Sequence, residues 1–387
     1  MSITGITETT PSALGVEKEQ PQILRRSAPQ DDSAGNCLFL STPPRILRNL
    51  CNLRTLKINN LCRINGGFCR ALIQNPQNSL TNFRLGTAGD GSYALSPTPY
   101  TLFFVTLLIN ADDFGLTPGV NRSIAELHQG RALCSATLMA TGTFFDDAVA
   151  VAKANPALEV GCHVLLVDGM PALPASQIRS LCPDGQGFRS QLGRFAADLY
   201  AGRIRDGEIE AEATAQIRRL QTAGLRVSHI DTHKHTHLFP RVLRPLLRAA
   251  RGCGIGAIRN PFEPAWALRA TPRSGRLRRL AVVVLGSQRR AFLRFVQASG
   301  MSTTDGTIGV LATGTLDVET TLHGLLAAMP PTGAWELVCH PGYPDTHLDQ
   351  VRTRLRASRA AEHAALLQLI PRSGVALGSW SSLATLS

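Results

Sequence analysis

Three short strings carry most of the chemistry available to this chain: Asn110-Ala-Asp-Asp-Phe-Gly115, Gly161-Cys-His163 and Asp231-Thr-His-Lys-His-Thr-His237. Each follows an apolar run that reads as a β-strand. Aspartate and imidazole gathered at strand ends from distant parts of a chain are what a single catalytic metal needs. The neighbours Asp112 and Asp113 repel each other unless a cation or proton separates them. One of such a pair can hold an ion while the other moves a proton, although in isolation the pair would equally suit a helix-capping turn. In an extended backbone His233, His235 and His237 share one face, and in a helical turn His233 pairs with His237, so either geometry clusters imidazoles. His163 alone reads as a core residue; beside the other two strings it becomes the natural third ligand. His340 stands between Trp335-Glu-Leu-Val-Cys and the turn Pro341-Gly342, where a protonated imidazole would suit a general acid for a departing amine.

The elements that must position these residues begin at Val105. Short apolar runs at 105–110, 135–139, 159–164, 226–232, 256–259, 307–311, 335–339 and 374–378 alternate with helical patterns. One of those helices, over 207–223, sets Ile209, Ala213, Ile217 and Leu220 on one face. Such alternation predicts an α/β fold, an irregular TIM-like (β/α) barrel of parallel strands whose chemistry sits where the strands end. Residues 1–104, rich in Ser, Thr, Asn, Pro and Arg with little periodicity, are expected to form a disordered N-terminal extension, and 105–387 the barrel domain. Val105-Thr-Leu-Leu-Ile-Asn110 would itself make a plausible start for the protein.

Bulk properties narrow the class. With 44% apolar residues the chain can bury a proper core. None of its apolar runs approaches the roughly 20 residues that span a bilayer. A secretory leader is not recognisable at the N-terminus, so the cytoplasm is expected, with peripheral contact at the inner membrane as an addition. Nine cysteines without a C-x-x-C pair argue against a zinc ribbon or a disulfide framework; Cys37, Cys51, Cys62 and Cys69 fit no common zinc module, and Cys162 and Cys339 read as small core residues. The net charge of +12 invites a nucleic-acid partner, but its distribution argues against one. Eight arginines and no acidic residue lie between Arg269 and Arg294, within an apolar pattern (Leu277, Leu280, Val284, then Phe292, Phe295, Val296) that reads as a basic amphipathic helical pair. A solvated face on a barrel insertion is the first reading. Docking to an anionic membrane surface or an acidic substrate is the second.

Taken in order, the three strings and His340-Pro-Gly342 resemble the YdjC-like carbohydrate deacetylases, the ChbG/HpnK family, from about residue 105 to 385. Lesser similarities are Glu212-x-x-x-Gln216, Thr304-Asp305 and Arg359-x-x-Glu362. The resemblance implies a TIM-barrel-like fold and divalent-metal hydrolysis of an N-acetyl group from an amino sugar. It implies Asp113, His163 and His233 as metal ligands and Asp112 as the catalytic base. The general acid would be His340 by preference, or His235. Imidazole ligands favour zinc, iron or cobalt on softness grounds, whereas the family is usually described with magnesium, so one divalent ion, Mg2+ or Zn2+, is expected. The stretch from Leu165 to Pro174, followed by Asp184-Gly-x-Gly-Phe188, is most similar to the HpnK branch, associated with N-acetylglucosamine on a hopanoid lipid; the other branch acts on chito-oligosaccharides. Two rivals are a phosphoesterase on the same barrel and a non-catalytic binding protein with a vestigial metal site. The oligomeric state is open, a homodimer included.

Overall fold

The computed structural model describes residues 71–74, 80–87, 93–97, 106–271, 274–316 and 321–383. The extension expected over 1–104, with its four cysteines, lies outside these residues except for the backbone of three strands. These are β1 (Ala71–Gln74), β2 (Leu80–Thr87) and β3 (Tyr93–Pro97), an antiparallel sheet in the order β1-β2-β3 with Phe83 opposite both Ala71 and Pro97. They belong to one compact unit, Met1–Tyr100; a second unit spans Thr101–Ser387.

The second unit is built on six strands: β4 (Thr106–Phe114), β5 (Ser135–Leu138), β6 (Glu159–Val164), β7 (Val227–Thr232), β8 (Gly306–Ile308) and β9 (Ala334–Cys339). All are parallel, in the order β7-β6-β5-β4-β9-β8. Parallel neighbours need crossovers, and helices supply them, covering the sheet's outer face. That is why β4, in mid-sheet, reads Leu-Leu-Ile without polar alternation: Leu107, Leu108 and Ile109 are all inaccessible to solvent. The helix Asp206–Thr222 buries Ile209, Ala213, Ile217 and Leu220, the face its sequence pattern predicts. No helix among the described residues is long and apolar enough to cross a membrane.

The sheet curls into a half-barrel rather than a ring of eight strands. Two of the predicted strands, 256–259 and 374–378, make only isolated bridges, two in the first and one in the second. The first runs between Gly256 and Pro261, and proline cannot donate to a ladder. It still spans the opening between the two edge strands. Ile230 donates to the Ala257 carbonyl (3.0 Å), Arg259 to that of Ile230 (3.0 Å), Ile258 to that of Ser302 (3.0 Å) and Thr307 to that of Phe262 (3.1 Å). The second lies along the start of β4, where β5 has not yet begun, and is held by Gly378 N–H on the Leu107 carbonyl (2.9 Å).

Inside the curl there is no spare room at Gly161 of β6. A Cβ there would lie 2.5 Å from His229 Cε1 and 2.7 Å from Thr137 Cγ2, and His229 is stacked on the buried Trp380 at a centroid distance of 4.1 Å. Gly161→Ala is therefore expected to lower stability by about 1–3 kcal/mol through overpacking, read as an earlier midpoint in urea unfolding, whereas Gly207→Ala, in open space, should leave the midpoint in place.

Candidate metal centre

Asp112, Asp113, His163, His233 and His340 all stand at the C-terminal ends of parallel strands or directly after them. Successive residues of a strand ordinarily point to opposite faces, so Asp112 and Asp113 should not share a site. They do because β4 bulges. Ala111 pairs with Ala136 but Phe114 with Leu138, three residues set against two, and Asp113 takes a left-handed backbone (φ 66) inside that shift. Gly115 completes the turn at φ 89, an angle open to glycine, with Leu138 Cδ1 only 3.0 Å from where a Cβ would sit. The His233 loop is bent in the same manner. Lys234 (φ 54) and His235 (φ 51) are both left-handed, which breaks the extended and the helical repeats alike.

Three donor atoms converge. Asp113 Oδ1 lies 3.8 Å from His163 Nε2 and 3.6 Å from His233 Nδ1, and the two nitrogens are 3.3 Å apart. That oxygen is buried and accepts no hydrogen bond, while its twin Oδ2 takes Arg359 Nη2 at 2.5 Å. An ionised oxygen stripped of water and left unbonded is costly, and a cation between it and the imidazoles would relieve that cost. Donors spaced in this way suit one ion with bonds of about 2.1 Å. Two imidazoles and a carboxylate form a set that divalent ions accept. Asp231 Oδ1, 2.8 Å from His163 Nδ1, fixes that ring so that Nε2 faces the triangle. Burial would lower the His163 imidazole, yet Asp231 and Asp112 push it up to about 9, so the local field favours positive charge. Burial likewise opposes ionisation of Asp113, but Arg359 and His233 hold it well below the usual carboxylate range.

Asp112 lives differently. The fully buried Arg259 clasps it with Nη2 on Oδ1 (2.7 Å) and Nη1 on Oδ2 (2.8 Å), and Asn110 and Thr137 add bonds at 3.1 and 3.2 Å. The same guanidinium reaches Asp231 Oδ2 at 2.5 Å and Glu336 Oε1 at 2.7 Å. Against the cost of burial, it keeps Asp112 far below its ordinary value. Burial still pushes Glu336 up to about 7. Asp112, His163 and Asp231 form a second grouping compact enough for an ion, but Arg259 already supplies its positive charge. The open donor set is the one around Asp113.

The remaining histidines separate. His340 sets Nε2 3.8 Å from Asp112 Oδ2, its backbone N–H donating to Glu362 (2.7 Å) and its Nδ1 buried without a protein partner. His235 is pulled down to about 3 by burial and by Arg259 nearby. His237 turns into the core, bonded to Thr232 Oγ1 (2.7 Å) and packed against Phe292. The expected clustering of His233, His235 and His237 is thus found only in part: His233 turns to Asp113, while the His235 and His237 rings stay edge to face with each other at 6.1 Å. Cys162 and Cys339 are buried core residues, as expected. The sequence reading gave no role to Asp231, Arg259, Glu336 or Arg359. Two of these did carry a signal, Asp231 as the first letter of the histidine string and Arg359 as the first of Arg359-x-x-Glu362.

Comparison with known proteins gives this chain a family. A family model described as YdjC-like protein matches residues 106–372. A carbohydrate deacetylase of Brevibacillus brevis is 41% identical over 144 residues, 37% of this chain and 55% of the relative. One of Listeria welshimeri is 40% identical over 171 residues, 41% of this chain and 68% of the relative. The chain spans about half the length of most of these curated relatives. Among solved structures, an Enterococcus faecalis protein provisionally described as a cellobiose-phosphate cleavage protein superposes with a TM-score of 0.58 at 25% identity, covering 72% of this chain and 99% of that one.

The hub at Arg259 generates a test. Removing its charge strands Asp112 and Asp231 in a buried site, so Arg259→Met should cost about 3–5 kcal/mol, measured as a drop in unfolding free energy in urea. Glu336→Gln, which leaves the Asp112 clasp in place, should cost far less.

Proposed function

The chain belongs to the YdjC-like protein family, and from that premise we propose that it is a metal-dependent carbohydrate deacetylase. It would hydrolyse the linear amide of an N-acetylated amino sugar and release acetate. The observation that carries this reading is the unbonded, buried Oδ1 of Asp113 beside two imidazole nitrogens, with a second carboxylate, Asp112, next to it. The names of the curated relatives support it.

Asp113, His163 and His233 would hold one divalent ion, Mg2+ or Zn2+. When bound, such an ion supplies Lewis acidity toward the acetyl carbonyl and lowers the pKa of a coordinated water. Asp112 would take the proton from the attacking water. Arg259 leaves it ionised at neutral pH and fixes its orientation, so that it is always ready to accept, though as a weak base. His340, 3.8 Å from Asp112 Oδ2, would protonate the leaving amine. His235, the other candidate, is held neutral and is the poorer acid. One wall of the site is fixed: Glu212 receives the N–H groups of Ala172 (2.6 Å) and Leu173 (3.0 Å), and Gln216 grips both N–H and C=O of Leu165 (2.8 and 2.7 Å). Asp168 in that loop binds the Lys234 ammonium beside His233, so an ion pair ties the wall to the ligand loop. Both buried guanidiniums, Arg259 and Arg359, are committed to carboxylates, which argues against a site built for a phosphate dianion.

Within this reading the substrate is N-acetylglucosamine carried either on a hopanoid lipid or in a chito-oligosaccharide. Mass spectrometry of both substrates with metal-loaded protein should reveal loss of one acetyl group from at least one; phosphate release from sugar phosphates without any acetate would instead establish the phosphoesterase. Asp113→Asn and His233→Ala are expected to lose both bound metal and acetate release, whereas Asp112→Asn keeps the ion and loses at least about a hundredfold in rate. Elemental analysis finding Asp112→Asn stripped and Asp113→Asn loaded would reverse the assignment.

A further inference from the structure

The helix Arg276–Gly286 has no buried residue. Leu277 is 84% exposed, Leu280 60%, Val283 54% and Val284 60%, and 277, 280 and 284 fall on one helical stripe. The next helix, Arg289–Ala298, does the opposite with the same kind of pattern: Phe292 and Val296 are buried, Phe292 meets Phe262 at 5.5 Å, and Phe295 lies under the Arg244 guanidinium at 4.5 Å. The sequence reading treats the two as one amphipathic pair. In the fold, only the second spends its apolar face on the core.

The position of the exposed helix is fixed by its own arginines. Arg278 donates to the carbonyls of Val310 (2.7 Å) and Thr313 (2.9 Å), in the stretch that leaves the C-terminal end of β8. Arg279 donates to those of Leu268 (2.8 Å) and Thr271 (2.6 Å). The start of the helix therefore lies beside the end of β8 toward which the strands run, while just past its far end Arg289 donates to the carbonyl of Asp305 (2.9 Å), immediately before β8. Arg276, Arg289, Arg290 and Arg294 are exposed around it, and no acidic residue occurs from Arg269 to Arg294.

We propose that Arg276–Gly286 is a docking helix for an anionic phospholipid surface. The aliphatic stripe would enter the headgroup–acyl boundary and the flanking arginines would meet the headgroup phosphates. Charge decides against the other occupants. A second copy would set arginine against arginine across a two-fold axis, and a nucleic acid would leave Leu277, Leu280 and Val284 in water. The docking rests on this helix alone and stands whether or not the reaction is deacetylation.

Vesicle flotation of the full chain tests it. Binding is expected to vesicles of equal parts phosphatidylglycerol and phosphatidylcholine, not to pure phosphatidylcholine, and should fall as salt screens the arginines. Leu277→Gln, Leu280→Gln and Val284→Gln combined should weaken binding roughly tenfold or more, as should Arg276→Gln, Arg290→Gln and Arg294→Gln combined. Arg278 and Arg279 are left intact because they anchor the helix. A Leu280→Trp variant should shift its emission to the blue with anionic vesicles only, and an unchanged urea unfolding midpoint in every variant shows that the barrel is folded. The proposal fails if the native chain does not float, if the glutamine-stripe variant binds equally well, if that variant merely turns a dimer into a monomer, or if the chain prefers a duplex oligonucleotide and the stripe substitutions leave that preference intact.

Discussion

An ionised carboxylate cannot remain inside a protein without a counter-charge, and this requirement organises the whole centre. Asp112 and Asp113 are adjacent, buried and depressed in pKa, and each has a different guanidinium: Arg259, shared with Asp231 and Glu336, for the first and Arg359 for the second. The two arginines treat their carboxylates differently. Arg259 occupies both oxygens of Asp112, whereas Arg359 takes one oxygen of Asp113 and leaves the other bare. The proposed division of roles, Asp112 as proton acceptor and Asp113 as metal ligand, rests on how many oxygens each arginine covers.

The parallel half-barrel is able to meet the same requirement. A charge cluster of this density needs walls on several sides, and strand ends from four parts of the chain provide them without exposing backbone. The gap between β7 and β8 is not a defect in that scheme. The irregular segment that spans it carries Arg259, whose backbone N–H bonds to β7 while its side chain reaches inward to Asp112, Asp231 and Glu336. A regular strand would alternate its side chains and pair along its whole length; the looser segment supplies one long cation where it is needed.

Much of this was legible in the sequence. Buried parallel strands announce themselves as unbroken apolar runs, and the switch to Asp and His after them marks the strand ends, which is why six of the eight predicted strands and the convergence of Asp113, His163 and His233 are found in the structure. What sequence could not carry was anything set by a register shift or by distant charge. The bulge that turns Asp112 and Asp113 to one side leaves no mark beyond Gly115. The left-handed turns at Lys234 and His235 occur in residues that rarely adopt them, so the histidine string looked like a cluster when it is a fork. Arg259 and Arg359 answer carboxylates 147 and 246 positions away, and one arginine among many gives no sign of which it is.

That last separation has a bearing on how the protein comes into being. Synthesis proceeds from the N-terminus, and domains fold as they emerge. Asp113 leaves the ribosome long before the helix Arg359–Leu369 that brings its guanidinium. Until that late segment docks, Asp113 has only the imidazoles of His163 and His233 as polar neighbours of opposite tendency, so the guanidinium that covers its Oδ2 is among the last groups to be made for the centre.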